Sequence, residues 1–419
     1  MTASLAFDRT SRAADGMGLT FSPPVSWDGV GDAAALTQVT FSVASTRAAF
    51  DALEPEWNAL FASAGRGAQV FQQFNWLWHW ANHFLDQDSP DGGQRLAIVT
   101  GRVAGRLVLV WPLVVSETRF VRRLSWMGEP ASQYGDVLFD PSFAGPGGDS
   151  NVPALLRASW CYLVDTVKPD VVHLRKVRAD SAISPLLAEL GPLSSGEAEA
   201  PFLALSDAPT FDAYEERYTA KARKNRRRLM RRLSERAGIE IETHREGPQA
   251  RALADLAVSL KRAWLRDRGQ ISPALADDRI GRFLADACDG RGRPTGARVS
   301  VMRSGGEPAS IEVGFVAKGT LALHIIVYSL KFEKTGAGVL HLEDGIRRSF
   351  ADGVTTLDLL APRADYKMDW ADGVIQVADH SVPLTASGRL YAHVYLRFAR
   401  THVKALAQRL PMAMRRALG

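Results

Sequence analysis

Hydrophobic and polar positions change period several times along the chain, and each change marks a predicted element. From Phe71 to Leu85 (FQQFNWLWHWANHFL) apolar residues fall on nearly every face of a helix, the pattern of a buried helix. Arg95 to Val115 reads as a β-hairpin around Val103-Ala104-Gly105 and ends in the run LVLVWPLVV. Helices are predicted at Thr210 to Ala237, Pro248 to Arg268 and Asp277 to Asp289. Three strands follow as a meander, Arg298 to Arg303, Ala309 to Ala317 and Thr320 to Tyr328, punctuated by Ser304-Gly305-Gly306 and Lys318-Gly319. A loop, a helix from about Val339 to Ala351, a strand Thr355 to Leu360 and another near Val374 to Ala378 complete the pattern.

This organisation divides the chain into segments. Residues 1–37 carry adjacent Pro23 and Pro24 and no sustained period, which predicts a disordered leader. An α/β unit is predicted over 38–190, and eight of the ten Trp lie at or before Trp160, so this half has its own aromatic core. Leu190 to Pro201 (LGPLSSGEAEAP) is poor in large apolar residues, so 191–201 is predicted as a linker. A second α/β unit over 202–387 and a basic amphipathic tail over 388–419 follow.

With 46% hydrophobic and 23% charged residues in 419, the composition is that of a soluble globular protein and excludes collagen, wholesale disorder and a polytopic membrane protein. Cys161 and Cys288 are too few for a disulfide framework and lack the spacing of a zinc site, so no metal is expected and a reducing cytoplasm fits. The longest uncharged apolar run, Leu107 to Val115, falls far short of the ~18 residues of a membrane span, and Met1 to Gly16 lacks the regions of a signal peptide. The net charge of +5 conceals two basic segments, Lys221 to Arg236 with nine Lys/Arg and one Glu, and His380 to Gly419 with seven Lys/Arg and no acid. The remainder is acidic, so each basic segment calls for an anionic partner. Arg226, Arg227 and Arg228 suit a discrete phosphate, because arginine forks onto phosphate better than lysine does. The candidates are coenzyme or nucleotide phosphates, an acidic glycan or lipid-linked pyrophosphate, RNA and anionic lipid. The tail is read equally as a helix lying on the inner face of a membrane and as one docked on the second unit.

The junction after the third meander strand concentrates the candidate chemistry. Lys331 to Gly338 (KFEKTGAG) runs directly into the helix marked by Val339, Leu342, Ile346 and Phe350. Small residues there let backbone N–H groups approach an anion, and the helix N-terminus adds partial positive charge. Lys334, Gly336, Ala337, Gly338 and Val339 are therefore candidates for holding a pyrophosphate. Glu312 stands in an otherwise apolar strand, where burial would raise its pKa toward that of a useful base, unless the strand lies at an edge and the carboxylate faces water. His324 is a second candidate base; it shares a face with Glu312 if the Lys318-Gly319 connection is a three-residue loop and takes the opposite face if it is a two-residue turn.

Three meander strands, a G-x-G loop, an amphipathic helix and another strand resemble the core order of the GNAT superfamily of acyl-CoA-dependent acyltransferases, although Glu333 stands where that loop pattern has Arg or Gln. Further downstream, Leu357-Asp358-Leu359-Leu360 and Tyr366-Lys367-Met368-Asp369-Trp370 resemble the D-x-L strand and Y-K-x-x-W element of CelD-type acetyltransferases of bacterial polysaccharide biosynthesis. The FQQFNWLWHW helix, Trp111-Pro112-Leu113 and Gly128 with Tyr134-Gly135-Asp136 extend the likeness over roughly residues 40–390. Related FemABX-type transferases pair two such units, which implies two GNAT-like α/β units in tandem with mixed, partly antiparallel sheets. The resemblance implies acetyl-CoA as co-substrate and transfer to an amine or hydroxyl of a sugar or lipid-linked glycan precursor. It also points to Asp358, Tyr366 and Lys367 as catalytic alongside Glu312, with Tyr366 protonating the leaving sulfur and Lys367 binding substrate or pairing with Asp358. Tyr134 and Asp136 are candidates for a substrate groove. Two other readings stay open: a transferase using aminoacyl-tRNA, and a non-catalytic regulator binding a phosphate-bearing ligand such as a cyclic dinucleotide.

Overall fold

The computed structural model describes residues 39–85, 93–140, 142 and 152–394. The leader and most of the basic tail lie outside the described residues. The strands are β1 (Val39–Ala44), β2 (Arg95–Leu96), β3 (Ile98–Val103), β4 (Arg106–Trp111), β5 (Leu113–Glu117), β6 (Arg122–Trp126), β7 (Leu138–Phe139) and β8 (Val171–Arg178). They continue as β9 (Leu193–Ala204), β10 (Ile239–His244), β11 (Ala297–Ser304), β12 (Glu307–Ala317), β13 (Thr320–Tyr328), β14 (Thr356–Asp358) and β15 (Gly373–Pro383).

A small sheet of order β1-β3-β4-β7 stands beside an eleven-stranded sheet of order β10-β11-β12-β13-β14-β9-β15-β8-β6-β5-β2, which runs through both halves of the chain. Most of its ladders are antiparallel. Two are parallel among the described residues, β13 with β14 and β6 with β8, and each needs a helical crossover, Ala337–Ala351 for the first and Val152–Val167 for the second. The protein is thus a mixed α/β fold with one β-α-β crossover in each half.

Tight turns set the hairpins. Ala104-Gly105 and Lys318-Gly319 are two-residue connections in which both residues have positive φ, the turn whose twist matches the flanking strands. The second pairs Ala317 with Thr320 and carries the register back to Gly314 opposite Leu323. There Val313 pairs with Ile325, so His324 is the extra residue of a bulge.

Residues 193–204, most of which sequence reads as a linker, are instead strand β9, hydrogen-bonded to β14 on one edge and β15 on the other. Small and polar side chains suffice there because two ladders, rather than side-chain burial, hold the strand. Gly196, at φ +63, sits where the register with β15 shifts and leaves room for Asp379.

The aromatic helix Phe74–Phe84 is buried as its pattern predicts, and Trp76 packs on Phe283, Phe315 and His324. These contacts join the first half to the second through one continuous core. Helix Pro248–Asp267 covers the same face of the large sheet, and helix Ala337–Ala351 covers the other.

Candidate functional site

β13 and β14 pair over only three positions, Thr320 to Ala322 against Thr356 to Asp358. Beyond them β13 runs on to Tyr328 while the chain after Asp358 turns away, leaving a wedge between the strands. At its mouth a 3-10 turn, Leu330–Thr335, leads through Gly336 into helix Ala337–Ala351. Gly336 is in the left-handed conformation, φ +80, and a Cβ there would lie 3.0 Å from Leu229 of the Arg-rich helix. Gly338 lets the first helical turn approach Tyr328, whose ring would be 3.2 Å from an added Cβ. The N–H groups of Gly338 and Val339 have no intrahelical acceptor, as at any helix start, and Val339 is exposed beside them. A groove of about 400 Å³ adjoins the loop and is lined by Leu229, Arg232, Leu233, Glu235, Lys334 and Thr335. Glu333 is held away from the loop by an ion pair with Arg268.

The turn Asp365–Met368 lies beside the chain that leaves β14, where Lys367 meets the carbonyls of Leu360 and Pro362. Tyr366 is partly exposed there, and burial with the nearby Glu312 charge pushes its phenol up to about 12. Lys367 does not pair with Asp358. Its Nζ donates to the carbonyls of Leu360 at 2.7 Å and Pro362 at 2.9 Å, and burial pushes it down to about 8. Asp358, the last residue of β14, is buried and fully engaged: Tyr134 Oη donates to one oxygen at 3.0 Å, Arg178 Nη1 to the other at 2.7 Å, and the Leu360 N–H to the first. The Arg178 guanidinium also lies 4.9 Å from the centre of the Tyr134 ring. Burial pushes the Asp358 carboxyl up against the pull of Arg178.

Glu312 is buried on interior strand β12, so the edge-strand alternative falls away. Its carboxyl faces helix Ala337–Ala351, where a Cβ on Gly345 would lie 2.7 Å from Oε2, and Oε1 has no hydrogen-bond partner. Burial raises it to about 7 against the pull of Arg348 and Arg298. The two-residue turn sends His324 to the opposite face. Its Nε2 lies 2.9 Å from the Ala131 carbonyl among Phe71, Trp76 and Phe315, and burial lowers it to about 4. His324 is therefore a neutral core histidine and does not join Glu312.

Two further expectations change with the tertiary structure. Asp136 is buried, and its oxygens accept from Arg66, Gln69 and the backbone N–H groups of Val137, Ala182 and Ile183, so it organises a turn and faces no groove. Arg226 is also buried, donating to Glu343 at 2.6 Å and Glu215 at 3.2 Å and lying 4.9 Å from the ring centres of both Tyr218 and Trp370. It belongs to the stripe of Leu229 and Leu233 that faces the body, whereas Arg227 and Arg228 are exposed. Sequence missed Arg178 and Lys261, both near the wedge. Each lies in a segment where its charge reads as a surface feature, and only strand pairing and helix packing bring it inward.

Residues 220–368 match the family model described as an acetyltransferase (GNAT) domain. Among solved structures the chain is similar to FemX, at 12% identity and TM-score 0.56 over 81% of this chain and 98% of that one. It is also similar to a conserved protein of unknown function from Bacteroides thetaiotaomicron, at 11% identity and TM-score 0.51 over 82% and 100%. A third similar structure is L-PGS from Bacillus licheniformis, at 14% identity and TM-score 0.49 over 85% and 97%. No curated protein matches the sequence. The chain shares the mixed α/β fold of FemX, and the part of its second half over residues 220–368 is similar to an acetyltransferase (GNAT) domain. No described helix is long and apolar enough to cross a membrane, and no described group of His, Cys, Asp or Glu is arranged to hold a metal.

Proposed function

We propose that the protein transfers an acyl group, acetyl in the simplest case, from acyl-CoA to an amine or hydroxyl of a sugar or lipid-linked glycan precursor, in the manner of the CelD-type enzymes it resembles. The observation that carries this reading is the wedge, with a glycine-started helix at its mouth and the Tyr366-Lys367 turn beside the chain that leaves β14. The N–H groups of Gly338 and Val339 hold the coenzyme's pyrophosphate, with Lys334 and Arg232 supplying charge from the adjoining groove. The thioester then lies between the open edge of β13 and the turn. The acceptor's N or O adds to the carbonyl carbon, the C–S bond breaks with its electron pair moving to sulfur, and the acceptor's proton passes to solvent. Tyr366 donates its phenolic proton to sulfur and recovers one from water. Burial keeps the Tyr366 phenol protonated until sulfur needs the proton, and the nearby Glu312 adds to that effect once it is ionised. Tyr134, Arg178 and Asp358 frame the floor and fix where β14 ends.

Calorimetric titration with coenzyme A tests the reading. The parent should bind, and Gly338→Val, which presses a β-branched side chain onto Tyr328 and crowds the helix start, should lose affinity by at least tenfold while keeping the parent's circular dichroism. Equal binding by both proteins refutes the assignment. Binding of aminoacyl-tRNA in place of coenzyme A moves the reaction to the second transferase class, which the exposed Arg227 and Arg228 would serve.

A further inference from the structure

Phe120, Leu390 and Val394 are the most exposed large hydrophobic side chains among the described residues, at 76%, 66% and 51%. Two elements carry them, and Asp170 ties those elements together. Phe120 stands in the turn Thr118 to Val121 between β5 and β6, which is closed by the Thr118 N–H donating to the Val121 carbonyl at 3.0 Å and by the Val121 N–H donating to Thr118 Oγ1 at 3.2 Å. Gly, Asn, Asp, Ser and Pro are the residues that favour a turn, so the backbone does not call for Arg119-Phe120 at its tip. Asp170, buried just before β8, accepts from the Arg122 N–H at 2.8 Å through Oδ2, and from the hydroxyls of Thr385 at 2.6 Å and Ser387 at 2.9 Å through Oδ1. Thr385 caps helix Ala386–Leu390, whose Gly388 lies against the Asp170 carbonyl with no room for a Cβ. Val121, Val171 and Ala392 form a small shared core, with Leu193 and Tyr391 packed on it. Leu390 and Val394 flank Ala392 about one helical turn apart, so they share a corner of the molecule with Phe120.

The charges of this corner are mostly of one sign. The hairpin from Leu113 to Trp126, the link Lys168 to Asp170 and the chain from Ala386 to Val394 carry five Lys/Arg and two acids. Both acids are engaged, Glu117 with Arg95 at 2.9 Å and Arg122 at 2.8 Å, and Asp170 with the groups it clamps. Arg119 is exposed at the tip, its guanidinium 5.9 Å from the centre of the Phe120 ring. Residues 395–419 add six Lys/Arg and no acid in sequence. We propose that this corner is a docking surface for an anionic lipid bilayer. Phe120, Leu390 and Val394 enter the headgroup boundary, and the surrounding cations meet lipid phosphates and acidic headgroups. An aromatic tip flanked by arginine suits that boundary, where an apolar layer begins directly beneath a negatively charged one. A protein partner or a second copy of the chain could cover the same apolar side chains, and the one-sided charge is what selects the bilayer. None of these residues belongs to the wedge, so the proposal stands apart from the acyl-CoA reading.

Co-sedimentation of the full chain with vesicles tests this, one set made of phosphatidylcholine and phosphatidylglycerol in equal parts and one of phosphatidylcholine alone. The parent should pellet with the mixed vesicles and stay largely in solution with the neutral ones. It should be released as salt rises toward ~1 M, where the screening length falls to about 3 Å. Phe120→Ser should weaken partitioning by about tenfold, as expected when one large apolar side chain is withdrawn, and adding Leu390→Ser should weaken it by a similar factor again. Phe120→Trp should bind at least as well as the parent, because tryptophan favours the same boundary. All three are surface changes, and each variant should keep the parent's melting temperature. A parent that ignores the mixed vesicles overturns the proposal. So does Phe120→Ser that pellets like the parent, which would leave any membrane contact to the tail alone. Sedimentation velocity without lipid identifies the competing occupant: a dimer that Phe120→Ser dissociates, with no vesicle binding, makes the corner a contact between copies and overturns the bilayer.

Discussion

Arg226→Met is the sharpest test of how the Arg-rich helix is anchored. In the parent the guanidinium is 7% exposed and bridges Glu343 and Glu215, with Tyr218 and Trp370 packed against it. Methionine can replace the aliphatic stem but leaves two buried carboxylates close together without their cation. Breaking a buried pair this way costs about 3–5 kcal/mol, far more than an exposed pair contributes. At about 2–4 °C per kcal/mol for a domain of this size, the melting temperature should fall by roughly 10 °C. Arg227→Gln is the control: that side chain is 72% exposed and only 3.8 Å from Glu215, so its effect should stay within about 0.5 kcal/mol. Thermal melts followed by circular dichroism measure both, and Arg226→Met combined with Glu343→Gln should be less destabilised than the two single changes summed. If Arg226→Met melts with the parent and instead weakens coenzyme A binding, the residue is an anion ligand and the anchoring argument is wrong.

Tyr366→Phe should lower acetyl transfer by roughly 10²-fold or more with coenzyme A affinity unchanged; full turnover in that variant moves the acid elsewhere. Burial holds Glu312 protonated in the fold between its ordinary value of 4.5 and about 7, so the stability this proton binding confers is present below 4.5 and lost as pH rises through 7. Glu312→Gln should therefore match the parent in urea denaturation near pH ~5 and exceed it near pH ~8 by up to about 3 kcal/mol; equal midpoints at both would show that the carboxyl is compensated. Burial lowers His324 to about 4 and His341 to about 3, so the unfolded chain takes up protons first and stability present above 6.5 is lost as pH falls toward 4. His324→Gln should flatten that acid slope in the same titration, and an unchanged slope would exclude the histidine as its source.

Local order was legible in the sequence because its causes are local. Alternation and two-residue turns gave the limits of β12 and β13 nearly to the residue, and the glycines before Val339 marked the helix that opens the wedge. Tyr366 and Lys367 were readable as a motif. Tertiary structure decided which charges lie inside. Asp358 meets Tyr134 across 224 positions and Arg178 across 180, and no periodicity encodes partners so far apart. β9 could not be recognised because its stability comes from β14 and β15 on either side, and its own side chains are mostly small and polar. In sequence Arg226 reads as a phosphate ligand beside Arg227 and Arg228, and Lys261 as an ordinary helix-surface cation. Their roles follow from packing, because burial and the carbonyls or carboxylates met there determine whether a charge is solvated, paired or left available for a ligand.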